Sequence, residues 1–217
     1  MRVLVEIQEQ SNSGEIMKKR QAVVAAMFML VAVAAFAQAP TPKQPFSAEY
    51  VFTTNGQPMQ GMSPMKVAAT TKAIAIDFGP HGAILELRPG AALVTMVMHD
   101  DKTYTSSSMP YDSEELEDYF FWAVPPQGFA SMCEEEGAAC EMVGLEEFAG
   151  RPAEHWRIED SAEGTSDTWI DASLGIVVKS ASAEGYGIEC RNLSTAEPSA
   201  ALFKVPGDYA KQGGEEW

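Results

Sequence analysis

The residues of this chain that could do chemistry are few and do not form a catalytic motif. Histidine occurs at His81 and His99, both in turn-forming sequence, and at His155 beside Trp156. No serine stands in a G-x-S-x-G elbow, and no glycine-rich phosphate or dinucleotide motif occurs. Carboxylates are so numerous that any two could be taken as an acid and a base, which identifies no pair. We therefore predict that the protein is not an enzyme and needs no cofactor.

Methionine supplies a second kind of chemistry, because thioethers are soft ligands that select Cu(I). Two series qualify: Met59, Met62 and Met65, and Met96, Met98 and His99. The first series follows Pro58 and contains Gly61 and Pro64, so it cannot form a regular helix face. In the second, Met96 and Met98 lie on one side of a predicted strand. Methionine side chains are flexible and fill gaps in hydrophobic cores, which explains both series. Copper binding by these methionines is kept as an alternative function.

Three cysteines remain to be placed. Cys133 and Cys140 flank a glutamate-rich, glycine-containing loop in which a small ring closes easily, and we predict a disulfide between them. Their separation by six residues does not match a redox-active C-x-x-C motif. Cys190 alternates with Tyr186 and Ile188 on the apolar face of a predicted strand, which indicates a buried free thiol.

The compartment follows from an apparent secretory leader. A basic stretch, Met17 to Arg20, precedes the apolar run Ala22 to Ala37, which ends in the small-x-small triplet Ala35-Phe36-Ala37. Pro40 makes the next triplet a poor cleavage site. We predict an upstream extension at 1–16 that is not part of the natural protein, a signal peptide at 17–37, and a mature chain in the bacterial periplasm that begins at Gln38 and has no stable membrane insertion.

The charge of the mature chain restricts its partners. Residues 1–37 contain four basic and three acidic residues, which leaves 11 Lys and Arg against 28 Asp and Glu. A net charge near −17 repels nucleic acid and anionic lipid headgroups. A well-solvated acidic surface explains this charge, and we expect no nucleic-acid partner.

Most of the mature chain alternates apolar and polar residues in short runs separated by turn residues, which indicates an antiparallel sheet. About eleven strands are predicted, the first with Phe46, Tyr50 and Phe52 on one face. A single helix is predicted from Asp112 to Val124, apolar on nearly all sides and ended by two prolines. We predict a mainly β (α+β) fold, a curved antiparallel sheet or incomplete β-barrel covered by this short aromatic helix.

An ordered series of motifs in the C-terminal half resembles the LolA-like superfamily of outer-membrane lipoprotein carriers, and within it an uncharacterised periplasmic branch. The segments are Gly150-Arg151-Pro152-Ala153-Glu154-His155-Trp156-Arg157-Ile158, Thr168-Trp169-Ile170-Asp171, Leu174-Gly175-Ile176-Val177-Val178-Lys179 and Leu202-Phe203-Lys204-Val205-Pro206-Gly207-Asp208-Tyr209. The resemblance implies one LolA-like domain over 46–211. The glycine- and glutamate-rich composition of 213–216 predicts a flexible tail at 212–217. The resemblance also implies an apolar cavity and a role as a lipid carrier, or as a periplasmic sensor or scaffold.

We therefore expect a periplasmic, non-catalytic protein that binds an acyl chain or lipoprotein lipid in a half-barrel cavity. The expected lining is the apolar face of the sheet and the aromatic helix above it: Tyr50, Phe52, Ile74, Ile76, Leu85, Phe120, Phe121, Trp122, Trp156 and Ile158. The first alternative is a sensor or scaffold domain that binds an envelope protein partner and carries no cargo.

Overall fold

A computed structural model describes residues 41–124, 128–136, 138–160 and 164–213, apart from the side chains of 114, 117, 118 and 134–136. The predicted extension at 1–16, the predicted signal peptide and residues 214–217 of the predicted tail lie outside these ranges. The described residues all fall within one compact unit.

Thirteen strands make up the described part of the fold. They are β1 (Phe46–Thr54), β2 (Gln57–Pro58), β3 (Met65–Ala69), β4 (Ala73–Asp77), β5 (His81–Arg88), β6 (Ala91–Met98), β7 (Thr103–Pro110), β8 (Ala139–Phe148), β9 (Arg151–Asp160), β10 (Gly164–Asp171), β11 (Ile176–Ser182), β12 (Tyr186–Ser194) and β13 (Ala210–Lys211). The helices are α1 (Glu114–Glu117), α2 (Phe129–Glu136) and two 3-10 helices at Asp118–Phe120 and Ala200–Phe203.

The strands form one curved, unclosed sheet in the order β13-β7-β6-β5-β4-β3-β1-β12-β11-β10-β9-β8, with β2 paired to β1. Neighbours are antiparallel apart from the parallel pair of β13 with β7. Consecutive strands pair as hairpins from β3 to β7 and from β8 to β12, and the central strand β1 joins β3 to β12. The predicted incomplete antiparallel barrel is confirmed.

Period-two alternation sends the core residues to one side of the sheet, here called the inner face. On β1 this face carries Phe46, Ala48 and Tyr50, which are buried in the main hydrophobic cluster. The opposite side is called the outer face, and it carries Ser47 and Glu49 on the same strand. The predicted grouping of Phe46, Tyr50 and Phe52 therefore describes the inner face, with Phe52 half-buried at its margin.

The predicted helix from Asp112 to Val124 is shorter in the structure. Four α-helical residues and a 3-10 turn end at Phe120, and Ala123 then pairs with Ile176 as an isolated bridge. The amide of Val177 donates to the Trp122 carbonyl at 2.7 Å, and the amide of Val124 donates to the Gly175 carbonyl at 3.0 Å. The helix ends early because these residues make backbone hydrogen bonds to a distant segment instead of to the preceding turn.

The acidic stretch between the two cysteines also differs from the prediction. Residues up to Glu136 belong to α2 rather than to a loop, and β8 already begins at Ala139. The disulfide between Cys133 and Cys140, with Cα atoms 6.0 Å apart, therefore joins α2 to β8. Among the described residues, no helix is long and apolar enough to cross a membrane.

Candidate functional site

The inner face is filled by the chain's own side chains. Six of the residues predicted to line a cavity lie in one buried cluster: Tyr50, Ile74, Ile76, Leu85, Phe120 and Trp122. Phe52 and Phe121 are half-buried and pack against this cluster. The ring of Trp122 stands edge-on to Phe46, and Phe121 stands edge-on to Tyr50 at 5.3 Å between centroids. The 111–124 segment therefore occupies the space in which the sequence predicts a ligand.

The remaining two predicted residues lie outside this cluster. Trp156 contacts Phe129 of α2, with ring centroids 5.6 Å apart, and Ile158 is buried on the same side of β9. Helix α2, which was not predicted, thus covers the inner face at the β8–β10 end. The structure places all ten predicted residues in buried or half-buried packing.

A buried thiol and phenol meet at the middle of the inner face. Tyr50 and Cys190 are directly opposite each other on β1 and β12, and Cys190 is free and buried. Loss of solvent raises the pKa of the Cys190 thiol to about 12 and raises the pKa of Tyr50 well above its usual value. The Tyr50 hydroxyl donates to the Val177 carbonyl at 3.0 Å. Both groups are neutral at physiological pH and act in packing.

A cleft of about 400 Å³ lies on the outer face, across the sheet from the packed core. Its floor is formed by β1, β3, β4, β5 and β6. Residues 195–211, here called the C-terminal strap, cover one side of this floor, and the 3-10 helix at Ala200–Phe203 is a part of the strap that contacts the cleft. The apolar lining includes Ala68, Ala75, Ile84, Val97, Leu202 and Pro206. Of the ten predicted residues, Ile76 lines this cleft and the others do not.

Small residues on the floor leave room for the cleft. Ala68 pairs with Ala75 across β3 and β4, and Gly82 lies diagonally across from Ala75 on β5, opposite Asp77. A Cβ atom at Gly82 would lie 3.2 Å from Nε2 of His99 and 3.1 Å from the Ile76 carbonyl oxygen. The absence of a side chain at Gly82 thus lets the His99 ring lie against β5 at one end of the cleft.

The C-terminal strap is held at that same end by three contacts. Nδ1 of His99 lies 2.9 Å from the Tyr209 hydroxyl, and the two rings meet edge to face. Lys102 and Asp208 form an ion pair at 2.8 Å, which keeps the pKa of the Asp208 carboxyl below its usual value. Backbone pairing of β13 with β7 completes the attachment. The motif that contains Leu202 and Tyr209 thus forms a wall of the cleft, a role that sequence reasoning did not assign to it.

Polar groups lie at the rim of the cleft. Glu49 accepts a hydrogen bond from the Asn192 amide at 2.7 Å, and Asp77 accepts one from the backbone amide of Gly79 at 2.7 Å. Lys66 stands across the strands from both acids, and Lys204 is exposed on the strap. With apolar groups on the floor and charged groups at the rim, the cleft suits a ligand with an apolar body and a polar end.

The methionines considered as copper ligands lie in different environments. Met65 is buried in the core, whereas Met62 is exposed in the preceding turn. Met96 is half-buried, and its sulfur accepts a hydrogen bond from the Tyr119 hydroxyl at 3.0 Å. Within the described ranges, no group of three His, Cys, Asp or Glu side chains could hold a metal ion.

The third histidine belongs to a polar cluster on the outer face of β8–β10. His155 is buried, with Nδ1 2.8 Å from Glu146 and Nε2 2.8 Å from Asp167. Its ring stacks on Trp169 at 4.4 Å, and Trp169 donates to Glu146. These contacts, together with the ion pair of Arg157 with Asp167, link three adjacent strands. The cluster fixes β8 to the sheet.

Comparison with known proteins yields fold-level likenesses. No family model matches this chain, and no curated protein matches it. Among solved structures, PNGF-II has a TM-score of 0.46 at 8% identity and covers 78% of this chain, which spans 31% of that protein. MucB has a TM-score of 0.42 at 18% identity, and the match covers 81% of this chain and 61% of the MucB chain.

A third match is an outer membrane lipoprotein-sorting protein domain from Vibrio parahaemolyticus. Its TM-score is 0.29 at 10% identity, covering 74% of this chain and 89% of that domain. The chain thus spans less than two thirds of PNGF-II and of MucB. Each likeness concerns the path of the backbone and assigns no role to any residue of this chain.

Proposed function

We propose that this chain is an exported, non-catalytic binding protein of the bacterial periplasm that holds an apolar chain, such as a fatty acyl chain, in the outer-face cleft. The observation that carries the proposal is the cleft itself, with its volume of about 400 Å³ and its apolar floor. Ligand sites for small molecules have volumes of roughly 300–1,000 Å³.

The chemistry of the floor favours an acyl chain over a polar ligand. Ala68, Ala75, Ile84 and Val97 offer methyl and methylene groups and no side-chain hydrogen-bond donors. A ligand with many polar atoms would lose hydrogen bonds to water there without replacement. Each CH₂ group that enters the cleft contributes about 0.8 kcal/mol. The rim, with Lys66 and Lys204, is available to the polar end of such a ligand.

The inner face is the other place where an acyl chain could bind, as the sequence predicts. Entry there would require displacement of Phe120, Phe121 and Trp122, of which the first and third are buried. Removing these rings from the core costs several kcal/mol, of the order of 3–5 kcal/mol for each fully buried aromatic side chain. The open outer cleft needs no such displacement and is therefore the proposed site.

Export is supported by the leader-like sequence at Met17 to Ala37 and by the disulfide of Cys133 with Cys140. Disulfides persist in oxidising compartments such as the bacterial periplasm. The proposed domain is the LolA-like unit over 46–211, with the preceding leader removed.

Two variants distinguish the outer cleft from the inner face. Ala75→Phe fills the cleft floor, whereas Phe121→Ala removes a half-buried ring from the inner face. Titration with a fluorescent fatty acid should give saturable binding to the wild type. Ala75→Phe should weaken it about tenfold or more, the equivalent of about two displaced CH₂ groups, and Phe121→Ala should leave it unchanged.

Urea unfolding of each variant separates loss of binding from loss of structure. If Phe121→Ala weakens binding and Ala75→Phe does not, the ligand enters the inner face. If the wild type takes up no acyl probe, the cargo proposal fails and the sensor or scaffold alternative replaces it.

A further inference from the structure

We propose that the free edge of β8 docks an extended segment of another protein, one that alternates apolar and basic side chains. This inference goes beyond the acyl-binding cleft and does not depend on it. β8 is ten residues long and is the last strand of the sheet, and within the described ranges it pairs with β9 alone. Its outward backbone groups are therefore available for pairing with a further strand.

The edge carries a concentration of exposed apolar side chains. Leu145 is 71% exposed, Val143 is 47% exposed and Met142 is 44% exposed. These are three of the five large apolar side chains that are exposed in the described part of the chain, and they lie within four consecutive residues. Such a cluster on an edge strand indicates an interaction surface.

The two sides of β8 differ in chemistry. Met142 and Leu145 lie opposite Trp156 and Glu154 of β9 and share the inner side of the sheet. Glu141 lies opposite Arg157 and points to the other side. Because successive residues of a partner strand also alternate in direction, the partner should place apolar side chains beside Met142 and Leu145 and basic side chains beside Glu141.

Charge selects against a second copy of this chain as the occupant. The strand carries three glutamates, and the whole sequence has a formal net charge of −16. Two antiparallel copies of β8 would bring their glutamates together, and like charges across strands are unfavourable. A basic, alternating strand instead gains a favourable cross-strand contact with Glu141.

The structure also prepares β8 for docking by fixing it from both sides. The disulfide of Cys133 with Cys140 joins its beginning to α2, and Glu146 contacts both His155 and Trp169. The strand is therefore held in place before a partner arrives, which lowers the ordering cost of association.

The test uses the exported, disulfide-bonded protein and two ten-residue peptides of the same composition. One peptide alternates Val and Lys, and the other has five Val followed by five Lys, so that only the first presents one apolar and one basic side as a strand. The alternating peptide should bind more tightly than the block peptide. It should also slow hydrogen exchange of backbone amides in Ala139–Phe148 and not in β1.

Matched variants assign the contact to the edge. Leu145→Ser and Glu141→Lys should each weaken binding of the alternating peptide, by about tenfold together, through loss of one apolar and one charged cross-strand contact. Leu202→Ser removes another exposed leucine, which lies in the cleft and is 51% exposed, and should leave peptide binding unchanged. Equal binding of the two peptides, or exchange protection away from β8, would overturn the proposal. So would a dimer of the free protein that protects β8, because the occupant would then be a second copy.

Discussion

Trp122 stands edge-on to Phe46 at 5.2 Å between ring centroids, and both side chains are completely buried. This contact ties the end of the 111–124 segment to the first strand of the sheet. It explains why the apolar inner face, which the sequence indicates as a ligand cavity, is instead the hydrophobic core. The outer-face cleft is the open space that we propose for an apolar ligand.

Removal of the Trp122 ring should therefore act on stability more than on binding. Trp122→Ala should lower the free energy of unfolding by about 3–5 kcal/mol, because it leaves a cavity in a packed core. Trp156→Ala is a matched control, since Trp156 is half-buried and outside the main cluster. Urea denaturation monitored by circular dichroism provides the measurement. Equal losses for the two variants would show that Trp122 does not close the core.

Burial of Cys190 predicts a specific pH dependence of stability. Its folded-state pKa is raised to about 12, whereas an unfolded thiol titrates near pH 8.5. The stabilising contribution is therefore complete below about pH 8.5 and is lost as the pH rises towards the folded pKa. Between pH 8 and pH 10 the wild type should lose about 2 kcal/mol more than Cys190→Ala, as measured by urea unfolding at the two pH values. Parallel pH profiles for the two proteins would contradict this assignment.

The predicted leader also predicts where the mature chain begins. Exported protein should begin at Gln38, because Ala35-Phe36-Ala37 supplies the cleavage site and Pro40 disfavours cleavage after Ala39. Intact-mass spectrometry of protein purified from the periplasm measures this directly. A mass that includes residues 1–37 would be incompatible with both the leader and the proposed compartment.

The bounds of several strands could be predicted closely, because the alternation of side chains and the turn residues that define a strand lie within the strand and beside it in the sequence. Alternation between turn residues predicts strands at 165–171, 176–183 and 186–193. These agree with the observed bounds of β10, β11 and β12 to within one residue, since alternation and turn residues define antiparallel hairpins. The Asn55-Gly56 turn is a further example, with both residues at positive φ as a tight hairpin turn requires. The approximate number of strands follows from the same pattern.

The helices and the candidate site depended on contacts between distant residues. The helix was predicted to continue to Val124, but Trp122 and Val124 pair with Gly175 and Val177 about 50 residues later, which no local pattern reveals. The cleft depends on where the C-terminal strap crosses the sheet, which is set by Tyr209 and Asp208. Small outward-facing residues at Ala75 and Gly82 were the one available signal in the sequence for a vacant space.

The most direct test of the proposed site is photo-crosslinking with a fatty acid that carries a diazirine near the end of its chain. After irradiation of the saturated complex and proteolysis, mass spectrometry locates the labelled residues. The account predicts labels on the cleft lining around Ala75, Ile84 and Leu202, reduced by excess unlabelled fatty acid and absent from Ala75→Phe. Labels concentrated on Phe120–Val124, or labels that excess ligand does not reduce, would contradict it.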